Sequence, residues 1–300
     1  MNAIDDLVLN FHEDDLFLMN LCLMFLMFGI ALDLKLSHFK AIVQMPKSVL
    51  VGWTSQWILL PLLTCCLILI TDLPDSMILG MLLVAACPGG NVSNFAVHIA
   101  GGNSALSISL TTISTLFAVV GTPLVFQLLA PLFVDVTQIT INLYIPFKDM
   151  AITISQLIIL PLFLGMSLNH FFPNISTKVH RPVRLLSIIL FMGIVVGAIL
   201  GNIENLMQYI QLVFLLVLFH NALAISGGYL WATIWKLPIR DRRAISIETG
   251  IQNSGLGLIL IFNFFDGLGG MALVAAWWGI WHLIAGGSIA AIWNRRPVSN

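Results

Sequence analysis

Long apolar runs separated by short polar segments make up almost the whole chain. A helix that crosses a membrane needs about 20 mostly apolar residues, and nine runs meet or nearly meet this length. They span residues 16–32, 49–70, 77–97, 105–133, 150–171, 185–201, 209–235, 244–265 and 267–293. The pattern therefore predicts an all-α polytopic membrane protein with nine transmembrane helices, folded as a single transmembrane domain over residues 1–300.

The amino-acid composition agrees with this interpretation. Hydrophobic residues make up 59% of the 300 residues and charged residues only 9%, whereas a soluble domain carries about 25% charged residues. The formal net charge is −1 and no basic patch is visible, so nothing indicates a nucleic-acid partner. The cysteines all lie within apolar runs, which is typical of neither a disulfide framework nor a zinc site. They are Cys22, Cys65, Cys66 and Cys87.

The basic residues of the polar segments indicate how the chain crosses the membrane. With nine helices, all of the 13 Lys and Arg residues except Lys148 fall on one side. Basic segments stay in the cytoplasm, so the pattern predicts an N-terminus outside and a C-terminus in the cytoplasm. We expect a multi-pass protein of the cell membrane, which would be the inner membrane of a bacterium.

Two of the apolar runs contain a break. The third run is interrupted at residues 87–95, Cys-Pro-Gly-Gly-Asn-Val-Ser-Asn-Phe, where Pro88 removes a backbone donor and two glycines loosen the chain. The eighth run is interrupted at residues 248–255, Glu-Thr-Gly-Ile-Gln-Asn-Ser-Gly. Inside a membrane, freed backbone groups are tolerated only where they are buried in protein or line a cavity. Two interrupted helices at corresponding places in two halves are a strong sequence indication of a transporter's binding site.

The two halves of the chain also resemble each other in the order of their features. The second run carries Gln56 and Pro61, and the seventh run carries His220 and Asn221. A glycine-bearing segment follows each broken run, at residues 101–103 and 267–270. Runs one to four would then match runs six to nine, and the fifth run has no partner. Matched runs differ by five in their order along the chain, and an odd difference means that they cross the membrane in opposite directions, so we predict an inverted repeat.

One acidic residue, Glu248, is predicted to lie well inside the hydrocarbon. A charge at that depth costs about 2.5–3.5 kcal/mol on insertion scales, so a functional role is favoured over a position at the helix entrance. Gln252 follows one turn later and shares a helix face with Glu248. Oxygen-rich surroundings suit a hard cation, and a proton is the other candidate for the carboxylate.

Other polar residues in the apolar runs have two interpretations each. Ser107 and Thr111 lie one turn apart in the fourth run, where they could join a site or bond to carbonyls of their own helix. His220 and His282 are candidates for proton or substrate groups, or for hydrogen-bonded packing residues. The Leu-, Met- and Phe-rich first run is interpreted as a packing or lipid-facing surface. Phosphate-binding, metalloprotease and serine-hydrolase motifs are absent from the sequence.

Three segments together resemble the bile acid:sodium symporter family. They are the Cys-Pro-Gly-Gly-Asn-Val-Ser-Asn segment at 87–94, the Ser- and Thr-rich segment at 106–115, and Glu-Thr-Gly-Ile-Gln-Asn at 248–253. The resemblance covers nearly the whole chain in order. It implies two broken, crossing helices within a core domain, with helices at about 49–134 and 209–293. It further implies a panel domain, with helices at about 16–32 and 150–201.

The resemblance implies two sodium ions bound behind the crossing point. The first site would use Ser93, Asn94, Ser107, Thr111 and Glu248. The second site would use the side chains of Gln56, Glu248 and Gln252, together with the backbone carbonyls of Thr249 and Ile251.

The substrate cavity of relatives lies beside the crossing point, and the resemblance places Asn91, Asn253 and His282 there. Asn91 stands where bile-acid carriers often have Thr, and Leu283 follows His282 where some relatives have Asn. We predict a sodium-coupled symporter of an organic anion, either bile acid-like or a small carboxylate or sulfonate. The alternatives are a proton-coupled carrier of organic acids that uses Glu248 and, from another class, a membrane-embedded receptor or enzyme.

Overall fold

A computed structural model describes residues 4–5, 13–32, 43–134, 146–200, 207 and 209–296. Within these ranges the regular elements are helices, and no β-strand is present, which confirms the predicted all-α class. The helices are α1 Glu13–Ala31, α2 Pro46–Leu69, α3 Asp75–Ala85, α4 Val92–Ile99, α5 Ser104–Phe133, α6 Phe147–Phe171, α7 Pro173–Leu200, α8 Ile210–Ile234, α9 Ile239–Gly250, α10 Ser254–Phe264 and α11 Gly269–Asn294.

Helices occupy each of the predicted apolar runs, and the third and eighth runs are each divided into two helices. The third run forms α3 and α4, and the eighth forms α9 and α10. Within the described residues, α2, α5, α6, α8 and α11 are long and apolar enough to cross a membrane. A multi-pass membrane protein is thereby supported, whereas the number of nine spans and the inverted repeat remain predictions.

Two helices begin at least five residues before the apolar runs that predicted them. α9 begins at Ile239 instead of residue 244, and α7 begins at Pro173 instead of residue 185. In α9 the charged residue Arg243 is buried, and its guanidinium donates to the carbonyls of Ala100 at 2.6 Å and Arg296 at 2.7 Å. Hydropathy reports where a helix lies in the membrane, so it misses a helical turn whose charges are solvated or paired.

The same short sequence distorts α2 and α6 in the same way. Ser-Gln-x-x-x-Leu-Pro occurs at 55–61 and again at 155–161. Each copy forms one π-helical turn, at Ser55–Leu59 and Ser155–Ile159, closed by the amide of the following Leu bonding back to the Ser carbonyl. A proline removes one donor and clashes with the carbonyl four residues earlier, and a wider turn relieves that clash. Gln56 therefore lies on a π turn, a feature frequent at functional sites.

Two sets of helices pack side by side. α1 packs along α6 and α7, whereas α8 packs along α9, and α11 packs against α3, α8 and α10. α3 lies at the centre of the second set, and its residues from Ser76 to Ala85 are all buried. The two sets meet where α1 contacts α10, and there Asn20 and Asn263 exchange amide hydrogen bonds of 3.2 and 3.0 Å. This packing is the basis for the division into core and panel that we propose below.

Candidate functional site

The two breaks contact each other. The Gly90 amide donates to the Ile251 carbonyl at 2.7 Å, and the Asn253 amide donates to the Pro88 carbonyl at 2.8 Å. This short antiparallel pairing satisfies backbone groups that the helix interruptions leave free, as an apolar environment requires. A Cβ atom at Gly90 would lie 2.9 Å from the Gln252 carbonyl oxygen, so the close approach requires a glycine there.

Four helix ends converge on this pairing. α3 and α9 end at it, and α4 and α10 begin from it. Asn91 and Asn253 are the N-cap residues of α4 and α10, and the Asn253 side chain accepts a hydrogen bond from the Leu256 amide at 3.1 Å. Helix N-termini carry about +0.5 charge and C-termini about −0.5. The breaks therefore present both an anion-attracting and a cation-attracting face.

Glu248 lies at the centre of the first polar group. Only 3% of its surface is exposed. Its carboxylate accepts hydrogen bonds from Ser107 Oγ at 2.8 Å and from the hydroxyl of Thr111. Ser107 Oγ also lies 2.7 Å from Asn94 Oδ1, and Thr111 Oγ1 lies 3.3 Å from the same atom. Ser93 also interacts with the carboxylate, although its buried hydroxyl makes no hydrogen bond of good geometry among the described residues.

This group offers more lone pairs than protons. Ser93, Ser107 and Thr111 each have one hydroxyl proton, whereas the Glu248 carboxylate offers about four lone pairs and Asn94 Oδ1 offers two. Lone pairs left without a proton are costly in a buried site. A hard cation would satisfy them, because oxygen is the ligand that such ions prefer.

A second polar group surrounds the break at the end of α9. Gln56 and Gln252 exchange side-chain hydrogen bonds of 2.7 and 3.2 Å, and Gln56 also donates to the Cys87 carbonyl at 3.0 Å. Gln252 donates to the Thr249 carbonyl at 2.7 Å, and the Ile251 carbonyl accepts from the Gly90 amide. A carbonyl oxygen has two lone pairs, so both carbonyls keep a free acceptor position.

The structure thus brings together all residues of the first predicted ion site: Ser93, Asn94, Ser107, Thr111 and Glu248. It also brings together Gln56, Thr249, Ile251 and Gln252 of the second. The Glu248 side chain makes its hydrogen bonds within the first group. It lies next to the second group because the following residue in the chain, Thr249, belongs to that group. We propose below which of these residues bind an ion.

The three predicted substrate residues, Asn91, Asn253 and His282, line one cavity beside the paired breaks. Gln252 also lines this cavity, and it is therefore shared between the cavity and the second polar group. His220 is not among the lining residues. It is fully buried, with Nε2 2.6 Å from Thr64 Oγ1, as expected for a packing histidine.

The opposite wall of the cavity was not anticipated from the sequence. It is formed by one face of α1, with Leu23, Leu26, Met27 and Ile30. The sequence interpretation had assigned the first run to packing or lipid contact. The i, i+3, i+4, i+7 spacing marks one helical face, but apolar residues on all sides of α1 conceal which face is special.

Asn221 is a further residue whose contact with the site was missed. It is fully buried in α8, and its Nδ2 donates to the Gly250 carbonyl at 2.7 Å. Gly250 is the last residue of α9, so Asn221 holds the end of the helix that carries Glu248. The sequence shows only an Asn next to a His in an apolar run, which does not indicate that the Asn side chain bonds to the Gly250 carbonyl.

Known proteins resemble this chain in sequence. The model of the Sodium Bile acid symporter family matches residues 20–209. The "Uncharacterized sodium-dependent transporter YocS" of Bacillus subtilis is 35% identical over 271 residues, which cover 90% of this chain and 81% of that protein. The "Probable sodium/metabolite cotransporter BASS1, chloroplastic" of Arabidopsis thaliana is 32% identical over 90% of this chain and 65% of the plant protein.

A mammalian relative is more distant. The "Sodium/bile acid cotransporter 4" of Mus musculus is 29% identical over 76% of this chain and 51% of that protein. These names describe transporters and not enzymes, in agreement with the predicted class. With a family model that matches well over half of its residues, this chain belongs to the Sodium Bile acid symporter family.

Proposed function

We propose that this protein is a secondary active transporter that couples the symport of an organic anion to sodium by alternating access. The observation that carries the proposal is the buried oxygen cluster around Glu248, in which lone pairs outnumber hydroxyl protons. The names of the relatives, which refer to sodium-dependent transport, support it from outside the structure.

The first sodium ion would bind within the Glu248 cluster. Its ligands would be Ser93, Asn94, Ser107, Thr111 and Glu248. Glu248 would neutralise the ion, and the ion would in turn remove the cost of a buried, unpaired carboxylate. Ser93 supports this assignment, because its buried hydroxyl lies at the carboxylate without a hydrogen bond of good geometry, and an ion would bind its oxygen.

The second sodium ion would bind at the end of α9. Its ligands would be the side chains of Gln56, Glu248 and Gln252 and the backbone carbonyls of Thr249 and Ile251. The amides of Gln56 and Gln252 would have to turn their oxygens toward the ion and give up one of their mutual hydrogen bonds. The negative end of the α9 dipole would favour a cation at this place.

The substrate would bind in the cavity between α1 and the breaks. Asn91, Asn253 and His282 offer polar groups, and the N-termini of α4 and α10 add positive potential. An organic anion fits such a wall, whether bile acid-like or a small carboxylate or sulfonate. The names of relatives refer to metabolites and bile acids, which supports this class without selecting one member.

Coupling would follow from the shared backbone of the ion and substrate sites. Gln252 belongs to the second polar group and also lines the cavity, and the Ile251 carbonyl holds the Gly90 amide. An ion that orders the 248–253 segment would therefore also shape the cavity wall. We propose that a core, with helices at about 49–134 and 209–293, moves against a panel, with helices at about 16–32 and 150–201.

The proposed architecture has nine transmembrane helices in an inverted repeat, with the N-terminus outside and the C-terminus in the cytoplasm. The five long apolar helices support the membrane location. The protein would reside in the cell membrane, which in a bacterium is the inner membrane, with the lipid bilayer as its surroundings.

Uptake into proteoliposomes tests the proposed function. A panel of radiolabelled organic acids is offered with an inward sodium gradient, with equal sodium on both sides, and with a pH gradient in sodium-free buffer. We expect uptake above equilibrium only with the sodium gradient. Accumulation driven by the pH gradient without sodium would instead support the alternative, a proton-coupled carrier that uses Glu248.

A further inference from the structure

A second buried carboxylate, Asp241, lies in the first turn of α9 and is only 6% exposed. Its Oδ2 accepts a hydrogen bond from Ser48 Oγ at 2.6 Å, and its Oδ1 accepts one from Asn103 Nδ2 at 2.8 Å. Ser48 is in the first turn of α2, and Asn103 is the N-cap residue of α5. One carboxylate thus connects the beginnings of three helices.

The same three helices carry five of the proposed ion ligands, Gln56, Ser107, Thr111, Glu248 and Thr249. Two turns along α9 from Asp241 are Glu248 and Thr249, and one and two turns along α5 from Asn103 are Ser107 and Thr111. Two turns of an α-helix are about 11 Å long. In α2 the corresponding residues are Ser55, whose Oγ lies 2.8 Å from Thr249 Oγ1, and Gln56. Each helix is therefore held at two points, once at Asp241 and once at an ion site.

We infer that Asp241 and Asn103 are positioning residues for the sodium sites. They set how far α5 is shifted along α9, and this shift aligns Ser107 and Thr111 with the Glu248 carboxylate. The inference rests on the proposed function, because it concerns the geometry of the proposed ion sites. Neither residue touches the ions or the substrate.

The backbone of Asn103 connects its contact with Asp241 to the position of Ser107. The Asn103 amide donates to the Arg240 carbonyl at 3.0 Å, its side-chain oxygen caps the Leu106 amide at 3.1 Å, and its carbonyl accepts from the Ser107 amide at 3.0 Å. A shift of Asn103 relative to α9 is therefore transmitted through a single turn to Ser107. Charged hydrogen-bond acceptors form stronger bonds than neutral ones, which suits Asp241 for this task.

An exchange of the two side chains tests the inference. Asn103→Asp leaves a good helix N-cap but places two carboxylates face to face without a donor between them. Asp241→Asn alone keeps an oxygen for Asn103 to bond. The double variant Asn103→Asp/Asp241→Asn restores the pair in reverse, because the new amide at 241 can donate to the new carboxylate at 103. Asn294→Asp, an exposed position at the end of α11, is the control for an added charge.

Four quantities are measured in proteoliposomes or detergent. They are the sodium concentration for half-maximal uptake, the substrate KM at saturating sodium, the maximal rate, and the melting temperature without sodium. We expect Asn103→Asp to raise the half-saturating sodium concentration about tenfold, with substrate KM at saturating sodium within about twofold of the wild type. The double variant should return to within about threefold, and the control variant should not change.

The outcomes distinguish this inference from the proposed function. A lower melting temperature with unchanged sodium dependence in Asn103→Asp would reduce the pair to a structural contact and overturn the inference alone. A double variant that is no better than Asn103→Asp would also overturn it. If Asn103→Asp does not fold, Ser48→Ala, which removes the other hydrogen bond to Asp241, is measured in its place. An unchanged sodium requirement in Ser48→Ala would also overturn the inference. Wild-type uptake without any sodium dependence would overturn the proposed function and this inference together.

Discussion

Ser107 Oγ lies 2.8 Å from Glu248 Oε2, although the two residues are 141 positions apart in the chain and belong to different helices. α5 and α9 are brought together by a contact between a neutral hydroxyl and a carboxylate, deep inside an apolar protein. Thr111 adds a second hydroxyl to the same carboxylate from the next turn of α5. Both hydroxyls are proposed ligands of the first sodium ion, and each can be removed by a single substitution that leaves the carboxylate in place.

Removal of one hydroxyl should weaken sodium binding without abolishing it. Ser107→Ala and Thr111→Ala each remove one neutral oxygen, whereas the carboxylate remains. We expect each to raise the half-saturating sodium concentration about two- to thirteenfold, since a neutral polar contact contributes about 0.5–1.5 kcal/mol. Thr112→Ala is the matched control, because its hydroxyl bonds to the Ile108 carbonyl of its own helix. An equal effect in all three variants would contradict the assignment.

A substitution at the substrate wall should separate substrate from ion. Asn91 lines the cavity at the N-cap position of α4, and its side chain is not part of the hydrogen bonds described around Glu248. We expect Asn91→Thr to change the order of preference among organic anions while the sodium affinity of the empty carrier stays within about twofold. A large loss of sodium binding with an unchanged substrate range would place Asn91 in the ion site instead. Sodium-dependent thermal shift and competition uptake measure the two properties.

Under the proposed alternating access, the Asn20–Asn263 pair would be a contact of one conformation. Asn263 lies at the end of α10 that is farther from the breaks, about 14 Å from Ser254 along the helix. We expect an oxidised Asn20→Cys/Asn263→Cys pair, with the native cysteines replaced, to stop transport until a reductant is added.

The control for this experiment is a cross-link inside one set of helices. Ser176 Oγ donates to the Leu32 carbonyl at 3.2 Å, so Leu32→Cys/Ser176→Cys joins α7 to the end of α1. That cross-link should leave transport intact, because both residues belong to the proposed panel. Full transport with the 20–263 cross-link formed would show that α1 and α10 need not separate.

The membrane potential should drive transport if two sodium ions accompany one monoanion. The net charge of +1 moved inward gains about 2.3 kcal/mol per 100 mV when it crosses the full field. We expect faster uptake at an inside-negative potential, set with potassium and valinomycin. Rates that do not respond to the potential would favour one sodium ion per monoanion, or a dianionic substrate.

The sequence was informative where a residue type conflicts with its surroundings. Pro88 and the adjacent glycines are poor helix formers in an apolar run, and Glu248 is a charge in hydrocarbon, so each indicated a site before any contact was known. The length of the apolar runs likewise indicated where the helices lie in the chain. The conflict marks a position but not its partner, which is why Ser107 and Thr111 had two interpretations from residue types alone.

Features without such a conflict could not be predicted. Leu23 and Met27 line the cavity, but they look like any other apolar residues of a membrane helix. In the sequence, Asp241 and Arg243 resemble charges of a loop. Hydropathy does not show that a hydroxyl and an amide donate to Asp241, or that Arg243 donates to backbone carbonyls. The cavity wall and the Asp241 contacts arise from tertiary packing between distant segments, which one sequence does not reveal.

Sodium-driven uptake by wild-type protein and by Glu248→Ala, measured side by side in proteoliposomes, tests the central claim most directly. Asp72→Ala, which removes an exposed acid, is the control. We predict concentrative uptake with an inward sodium gradient for the wild type and the control, and loss of coupled uptake for Glu248→Ala, because both proposed ions depend on that carboxylate. Sodium-stimulated uptake at the wild-type level in folded Glu248→Ala would contradict the account.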